Sequence, residues 1–168
     1  MAPSDASRRN VKKASKMLNP IDKLKCLPPL EERKTIDGYS ISQWGWDQES
    51  KKQELSATTA RFLIAKNERG EPIGYSHYRF DMDHHSSVVY CYEIQIEERY
   101  QKKGVGTLLI QTLETLAERT GMEKVMATVF AFNEKSLAFF HKLGYGTDVS
   151  CPDENQERDY LILSKKVC

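Results

Sequence analysis

Residues 90–109 read YCYEIQIEERYQKKGVGTLL, and this stretch decides the fold. Its first half has the apolar pattern of a β-strand, and its second half opens an amphipathic helix. The turn between them consists of Gln101, Lys102, Lys103, Gly104, Val105 and Gly106. Unpaired N–H groups and the positive end of the helix dipole meet at such a turn, and glycine lets the backbone approach an anion closely. The turn therefore predicts a pyrophosphate site.

A second motif follows downstream. After a strand-like run at 124–130, residues 133–145 read NEKSLAFFHKLGY, a short helical pattern closed by glycine and an aromatic residue. The two motifs, Q-x-x-G-x-G after a strand and N-x-x-S/A-x-x-F-Y/F-x-K-x-G-F/Y, occur in order and at the right spacing. Together they resemble the acetyl-CoA-binding half of the GNAT superfamily of N-acyltransferases.

The rest of the hydrophobic pattern agrees with that family. It predicts strands over 60–67, 73–80, 88–96, 125–130 and 160–164, and helices over 107–119 and 136–143, with a further charged helical stretch within 33–54. The resulting order is β-β-β-α-β-α-β. The resemblance implies the GNAT fold, an α/β (α+β) architecture with a mostly antiparallel central sheet, a splayed parallel pair of strands and flanking helices.

Length and charge limit the organisation. The chain has 168 residues, 39% of them hydrophobic, which is enough for one domain and too few for two. We expect that domain over 31–168, after a basic arm or helix over 1–30. The net charge of +1 gives no reason to expect a nucleic-acid site. The basic start is typical of a solvated helix or disordered arm, and it also fits nuclear import, a ribosome contact or another acidic partner.

Cysteine usage and hydropathy bear on the compartment. The four cysteines are far apart and lack C-x-x-C spacing, so we expect no disulfide framework, no zinc site and no other metal. The sequence contains neither an apolar run of about eighteen residues nor an apolar N-terminal segment, so we expect no membrane span and no signal peptide. We expect a monomer in the cytoplasm and nucleus.

The GNAT resemblance implies acetyl-CoA as the cofactor and the residues that hold it. Backbone groups of the strand before the turn would bind the pantetheine arm, and the turn would bind the pyrophosphate. The implied cofactor residues are Ile94, Gln95, Ile96, Gln101, Lys102, Lys103, Gly104, Val105, Gly106 and Asn133. Asn133 would use its side-chain amide, although it also fits a helix cap. Tyr145 or Tyr160 would lie near the sulfur, although Tyr145 fits a core aromatic equally well.

Features outside the cofactor half resemble one branch, the NatD type of N-terminal α-acetyltransferase, which acetylates the serine amine of histones beginning Ser-Gly-Arg-Gly. The elements Ser42-Gln43-Trp44-Gly45-Trp46 and Tyr90-Cys91-Tyr92-Glu93 carry a likeness that covers most of 39–166. This resemblance implies catalysis by Glu93, with Tyr90 and Tyr92 beside it. It implies a peptide channel lined by Tyr39, Asp81, Met82, Asp83, Tyr92, Thr128, Ser150 and Tyr160. One of Trp44 and Trp46 would be core and the other would wall the channel.

Acidic residues would carry the chemistry of this channel. Glu93 stands on a strand, where a carboxylate needs a reason to be. An α-amine has a pKa of about 8, so a base that relays one proton through water would suffice, whereas the alternative for Glu93 is an ordinary ion pair. Asp81 and Asp83 would bind the arginine at the third substrate position, although acidic residues are also common in turns. His84 and His85 would tune this acidic mouth with pH, although two exposed loop histidines are more often inert.

Three functions follow, in order of preference. The first is direct acetyl transfer from acetyl-CoA to the N-terminal α-amine of histone tails, with a ribosome contact through the basic arm. The second is acetylation of lysine or small amines on the same fold, which needs stronger deprotonation because a lysine amine has a pKa of about 10.4. The third is a non-catalytic module that binds acetyl-CoA or a histone tail. The presence of Gly104, Gly106, Tyr92 and Glu93 argues against it.

Overall fold

The computed structural model describes residues 5–16, 46–152 and 159–167. Tyr39 and Trp44 lie outside the described residues, so their predicted places in the channel or core stay predictions. Trp46, which is described, is half-buried.

Six strands form one mixed sheet in the order β1-β2-β3-β4-β6-β5. They are β1 (Arg61–Lys66), β2 (Pro72–Asp83), β3 (Ser86–Ile96), β4 (Lys124–Phe130), β5 (Gly146–Thr147) and β6 (Tyr160–Lys166). Neighbouring strands are antiparallel except β3 and β4, which are parallel. The predicted mixed sheet is confirmed. The pattern did not predict β5, because two exposed residues carry no hydrophobic periodicity.

The described residues include four helices beside the sheet: α1 (Asp5–Lys16), α2 (Gln48–Ser56), α3 (Val105–Thr120) and α4 (Glu134–Lys142), with a 3-10 turn at Glu98–Tyr100. Helix α3 follows Gly104, which has φ +85°, and ends at Gly121, which has φ +71°. Such left-handed conformations favour glycine, which explains both boundaries. In the part of the chain that the structure describes, no helix combines the length and the apolar character needed to cross a membrane.

Helix α1 packs on the sheet. Ala14 is 1% exposed within the hydrophobic core. Ser7 Oγ donates a hydrogen bond to Glu123 at 2.9 Å, and Asn10 Nδ2 donates to the carbonyl of Gly121 at 3.0 Å. The other side of the helix is exposed and basic, and it carries Arg8, Arg9, Lys12 and Lys13. The start of the chain is therefore a docked helix with a cationic outer face.

The two faces of the sheet differ in chemistry. One face packs against α1, α3 and α4 around buried residues such as Val89, Leu109 and Leu163. The opposite face, called the polar face below, receives the side chains of alternate strand residues. These are Tyr75, His77, Arg79, Asp81 and Asp83 from β2, Tyr90, Tyr92, Glu93 and Gln95 from β3, and Thr128 from β4. Helix α2 lies on this face, because its Lys51 and Glu54 side chains meet Glu93 and His77.

A β-bulge in β3 brings two consecutive residues to the polar face. The register passes from the pair His77 and Glu93 to the pair Tyr78 and Cys91, which leaves Tyr92 as the extra residue. In a bulge, two residues of one strand oppose a single residue of its partner. As a result, the Tyr92 ring stacks on His77, and the Glu93 carboxylate meets Lys51 of α2.

Candidate active site

The parallel strands separate at the centre of the site. They pair from Val88 with Lys124 as far as Cys91 with Ala127, although β3 continues to Ile96 and β4 to Phe130. On its other side β3 stays paired with β2 up to Ile96. Beyond Cys91, the edge of β3 that faces β4 is therefore no longer paired with β4. The backbone of Ile94, Gln95 and Ile96 lies along this edge, which is where the predicted pantetheine contacts require it.

The turn after β3 presents backbone at the start of α3. A Cβ at Gly104 would meet no atom within 4 Å, so this glycine is required by its φ of +85° and not by packing. A Cβ at Gly106 would lie 3.3 Å from Phe139 Cζ, so the second glycine lets α4 pack closely against α3. Lys102 also has a positive φ, +57°. The turn thus combines a left-handed backbone with the unpaired N–H groups that open any helix.

Some side chains of the turn are exposed to solvent, and one makes a hydrogen bond within the protein. Lys102 and Lys103 are exposed, as an anion site at a helix N-terminus requires. Gln101 does something different from the predicted phosphate contact, since its Nε2 donates a hydrogen bond to the carbonyl of Ile96 at 2.9 Å. This bond fastens the turn to the end of β3.

Two further candidates for cofactor contact have structural roles. Asn133 caps α4, because its Oδ1 accepts a hydrogen bond from the N–H of Ser136 at 3.1 Å. Tyr145 is 3% exposed and packs on Phe140, with ring centroids 5.2 Å apart. Burial, and then the Glu114 carboxylate, raise the pKa of Tyr145. The core reading of Tyr145 is the one that the structure supports.

Glu93 is enclosed by polar partners on the polar face. Its side chain is 9% exposed, and Oε2 lies 2.9 Å from the Lys51 ammonium. Its other oxygen, Oε1, accepts a hydrogen bond from Gln95 Nε2. The Tyr75 hydroxyl is adjacent, and burial together with the Glu93 charge raises the pKa of Tyr75. Glu93 is therefore both the predicted carboxylate at the site and a member of a buried ion pair.

The partners of Glu93 continue into a chain of charged groups that the sequence analysis did not assign to the site. Lys51 Nζ donates to Glu54 Oε1 at 2.8 Å, and His77 Nδ1 lies 3.4 Å from the same oxygen. Burial alone would raise the pKa of Glu54, but His77 and Lys51 outweigh burial and lower it to about 2. Arg79 completes the group by donating to the Glu54 carbonyl at 2.7 Å.

Aromatic rings line the middle of the polar face. His77 is fully buried between Phe62 and Tyr92, with ring centroids 5.0 and 5.2 Å away. Tyr92 is 36% exposed, and the Arg79 guanidinium lies 4.4 Å from its ring centroid. These contacts fix the ring that a substrate would touch.

Tyr90 and Thr128 lie next to Tyr92. The two tyrosine rings are 5.1 Å apart, and the Tyr90 hydroxyl is 2.5 Å from Thr128 Oγ1. Burial raises the pKa of both tyrosines, and the Asp81 charge adds to the effect at Tyr92. Both hydroxyls therefore keep their protons at neutral pH. The structure brings Tyr90, Tyr92 and Thr128 into contact, and Glu93 follows Tyr92 in β3. Their predicted roles in a peptide channel stay predictions.

The two acidic residues predicted at the channel mouth are not equivalent. Asp83 Oδ2 lies 3.3 Å from Lys124 Nζ, and the same ammonium lies 2.7 Å from Asp148 Oδ2. Lys124 is 7% exposed, so this is a buried triad. Asp81 accepts the N–H of Met82 at 2.8 Å and lies beside Tyr92. The expectation of two carboxylates that share one guanidinium therefore needs correction, because Asp83 already has a cation.

The last predicted channel residues lie at the far end of this face. The backbone N–H of Ser150 donates to Asp148 Oδ1 at 2.9 Å, which places Ser150 against the buried triad. Tyr160 opens β6 opposite Phe130 and is half-buried. The loop between them includes residues that the structure does not describe.

Comparisons with known proteins agree with this arrangement. The family model described as Acetyltransferase (GNAT) family matches residues 27–145. A D-amino-acid N-acetyltransferase of Saccharomyces cerevisiae is 28% identical over 79% of this chain and 90% of its own length. The crystal structure of Arabidopsis thaliana NAA60 with a bisubstrate analogue superposes with a TM-score of 0.56 at 14% identity, over 84% of this chain and 97% of that chain.

Other relatives match in part. An uncharacterized N-acetyltransferase of Bacillus subtilis, YdgE, is 32% identical over 50% of this chain. The match spans 54% of the length of that protein, so it concerns about half of each chain. The sequence relatives and the shared fold agree on the class of protein and differ in what their names say they act on.

Proposed function

Because the chain belongs to the GNAT acetyltransferase family and uses acetyl-CoA, we propose that it acetylates the N-terminal α-amine of proteins, and of histones beginning Ser-Gly-Arg-Gly in particular. The observation that carries the proposal is the position of Glu93. Its carboxylate contacts Lys51 and Gln95 on the polar face, and Glu93 follows Tyr92 in β3 just beyond the last pair of β3 with β4.

The residues present fit acetyl-CoA. The φ of +85° at Gly104, with open space in front of it, and the exposed Lys102 and Lys103 suit a pyrophosphate, and the open edge of β3 suits the pantetheine amides. When bound, the cofactor supplies the acetyl group as a thioester. The N–H near Ile94 would polarise the thioester carbonyl, as an oxyanion-hole donor does.

Glu93 would then take the proton of the incoming amine. An α-ammonium has a pKa of about 8, so a carboxylate that accepts one proton through a water molecule is sufficient at neutral pH. The Lys51 ammonium and the Gln95 amide each hold one oxygen of this carboxylate. The Tyr92 ring, half-exposed and fixed from behind, would orient the peptide backbone.

Asp81 would recognise the arginine at the third position. A guanidinium binds a carboxylate strongly, and Asp81 lies beside the exposed Tyr92 ring. Asp83 would contribute charge only, since Lys124 already binds it. We therefore assign arginine recognition to Asp81 with a secondary electrostatic contribution from Asp83.

The charges of the polar face favour a peptide over a free amino acid. The name of the yeast relative indicates D-amino acids as its acceptors, and these also present an α-amine. A free amino acid adds a carboxylate that needs a cation. Lys51, Arg79 and Lys124 are each bound to oxygens of the protein. In a peptide, the carboxyl group of the first residue forms an amide with the second residue, so it carries no charge and needs no cation.

The outer face of α1 supports a second part of the proposal, a ribosome contact. Arg8, Arg9, Lys12 and Lys13 are exposed while the opposite side of the helix is docked. Ribosome binding that falls when these four residues become glutamine, with α-amine transfer unchanged, would support this contact. The proposal places the enzyme in the cytoplasm and the nucleus, where histones are made and used.

The test of the acceptor is acetyl transfer to four substrates in parallel. They are a Ser-Gly-Arg-Gly peptide, its arginine-to-alanine form, a lysine-containing peptide with a blocked amino terminus, and a free D-amino acid. We expect activity on the first, a higher KM on the second and none on the others. Asp81→Asn should raise KM for the first peptide to the value of the second. Activity on the blocked peptide would overturn α-amine specificity, and activity on the amino acid alone would favour the yeast-like function.

A further inference from the structure

We infer that Lys51 of α2 is a positioning residue for Glu93, so that a helix outside the cofactor half sets the state of the reacting carboxylate; this inference rests on the proposed role of Glu93. Lys51 is 8% exposed, which is rare for a lysine unless it is paired. Its ammonium lies 2.9 Å from Glu93 Oε2 and 2.8 Å from Glu54 Oε1. The lysine thus joins two carboxylates of different elements.

Glu54 holds Lys51 in place but shares the Lys51 charge with Glu93. His77 Nδ1 lies 3.4 Å from Glu54 Oε1, and the Glu54 backbone carbonyl accepts a hydrogen bond from Arg79. Arg79 Nε also donates to His77 Nε2 at 3.4 Å. The His77 ring is fully buried and stacked between two aromatic rings, which restricts its movement. The helix is therefore fastened to β2 at the turn that carries Lys51.

Both oxygens of Glu93 are oriented by this arrangement. Gln95 binds Oε1 and Lys51 faces Oε2, so the plane of the carboxylate is set by two side chains from two elements. Without Lys51, a side chain with 9% exposure would face a large penalty for its charge.

The other groups that face Glu93 do not substitute for Lys51. From β2 they are Tyr75 and His77, from β3 they are Cys91, Tyr92 and Gln95, and from α2 the second group is Glu54. Tyr75 and Cys91 have raised pKa values, mainly from burial, and are neutral. Arg79 is directed to Glu54 and Tyr92. Lys51 therefore supplies a full positive charge 2.9 Å from this carboxylate, which none of these other groups does.

The test is the pH dependence of kcat/KM on the Ser-Gly-Arg-Gly peptide for wild type, Lys51→Met and Lys51→Arg. Loss of a positive neighbour disfavours the charged carboxylate, so the acidic limb of Lys51→Met should move to higher pH by about 1–3 units. Lys51→Arg should restore the wild-type limb. KM for the peptide should not change, because Lys51 is not one of the residues assigned to the peptide channel. Lys52→Met is the matched control, since Lys52 is next in the helix and its side chain is 64% exposed.

A second readout separates this inference from the proposed function. The ionisation of Glu93 can be followed by carboxyl NMR in the full chain without substrate, with Glu93→Gln to identify the signal. If wild type acetylates no α-amine, the proposed function fails, and the NMR titration still decides whether Lys51 controls Glu93. A titration and an acidic limb that stay in place in Lys51→Met would overturn the inference, even if that variant unfolds at a lower temperature. If Lys51→Met is too unstable to assay, Lys51→Gln, which removes the charge and keeps a polar end, is measured in the same way.

Discussion

The turn after β3 and the polar face meet at the same pair of separating strands, yet each region is stabilised by a different kind of contact. The turn is local, because its conformation depends on Gly104 and on a bond from Gln101 to Ile96. The polar face depends on ion pairs between distant segments, such as that of Lys124 with Asp83, which are 41 positions apart. A change in the turn should therefore act on the cofactor and on local stability and leave the acceptor unaffected, whereas a change in the polar face should act on the acceptor, on stability or on both.

Glu93→Gln should give the largest difference between an effect on the polar face and an effect on the turn. Loss of a general base costs about 10²–10⁴-fold in rate, so kcat should fall by at least about 100-fold. The Kd for acetyl-CoA should stay the same, because the turn is untouched. Isothermal titration and steady-state kinetics measure the two quantities. A weaker acetyl-CoA complex in this variant would show that the two regions are not separable.

Asp148→Asn should break the buried triad at the far end of the polar face. Removing one partner of a buried ion pair costs about 3–5 kcal/mol, and the remaining Asp83 contact should keep the loss near the lower value. The ion pair lowers the pKa of Asp148, despite burial, so its contribution is present above the ordinary carboxyl range and is lost as the pH falls. Urea unfolding at neutral and at acidic pH should show a difference from wild type that shrinks in acid. A difference that is constant with pH would exclude the ion pair as its cause.

Gly104→Ala should test the local nature of the turn. A side chain at φ +85° costs roughly 1–2 kcal/mol, which here would be spread between stability and a weaker acetyl-CoA complex. Gly70→Ala is the matched control, because Gly70 has φ +79° and equally open space but lies in the turn between β1 and β2. Both variants should lose similar stability, and Gly104→Ala alone should raise the Kd for acetyl-CoA. Equal Kd values would remove the turn from the cofactor site.

Asn133→Asp should have the smallest effect. It distinguishes whether Asn133 only caps α4 or also contacts the cofactor. Aspartate caps a helix about as well as asparagine, so the unfolding free energy should be unchanged. The acetyl-CoA Kd should also be unchanged if capping is the whole role of Asn133. A higher Kd would assign the lost amide donor to the cofactor, as the family resemblance implies.

The elements that the sequence predicted correctly are those with a strong periodicity or a local boundary signal. Helix α3 lies within two residues of its predicted span, because glycines flank it and leucines repeat along it. Strand β3 is where the apolar run placed it. The charged sequence of α1 is compatible with a disordered arm as well as with a helix, because it does not show that Ala14 is buried. The bulge at Tyr92 has no sequence signal at all.

The sequence by itself determined the family, the cofactor turn and the presence of Tyr90, Tyr92 and Glu93, because a glycine turn and a strand-to-helix junction are built from adjacent residues. Only the tertiary structure decided the partners of the acidic residues. Lys51 reaches Glu93, and Lys124 reaches Asp83, because α2 and β4 pack beside strands from other parts of the chain. The physical reason is that a charge in a buried site is defined by the groups that surround it in space, and sequence spacing does not carry that information.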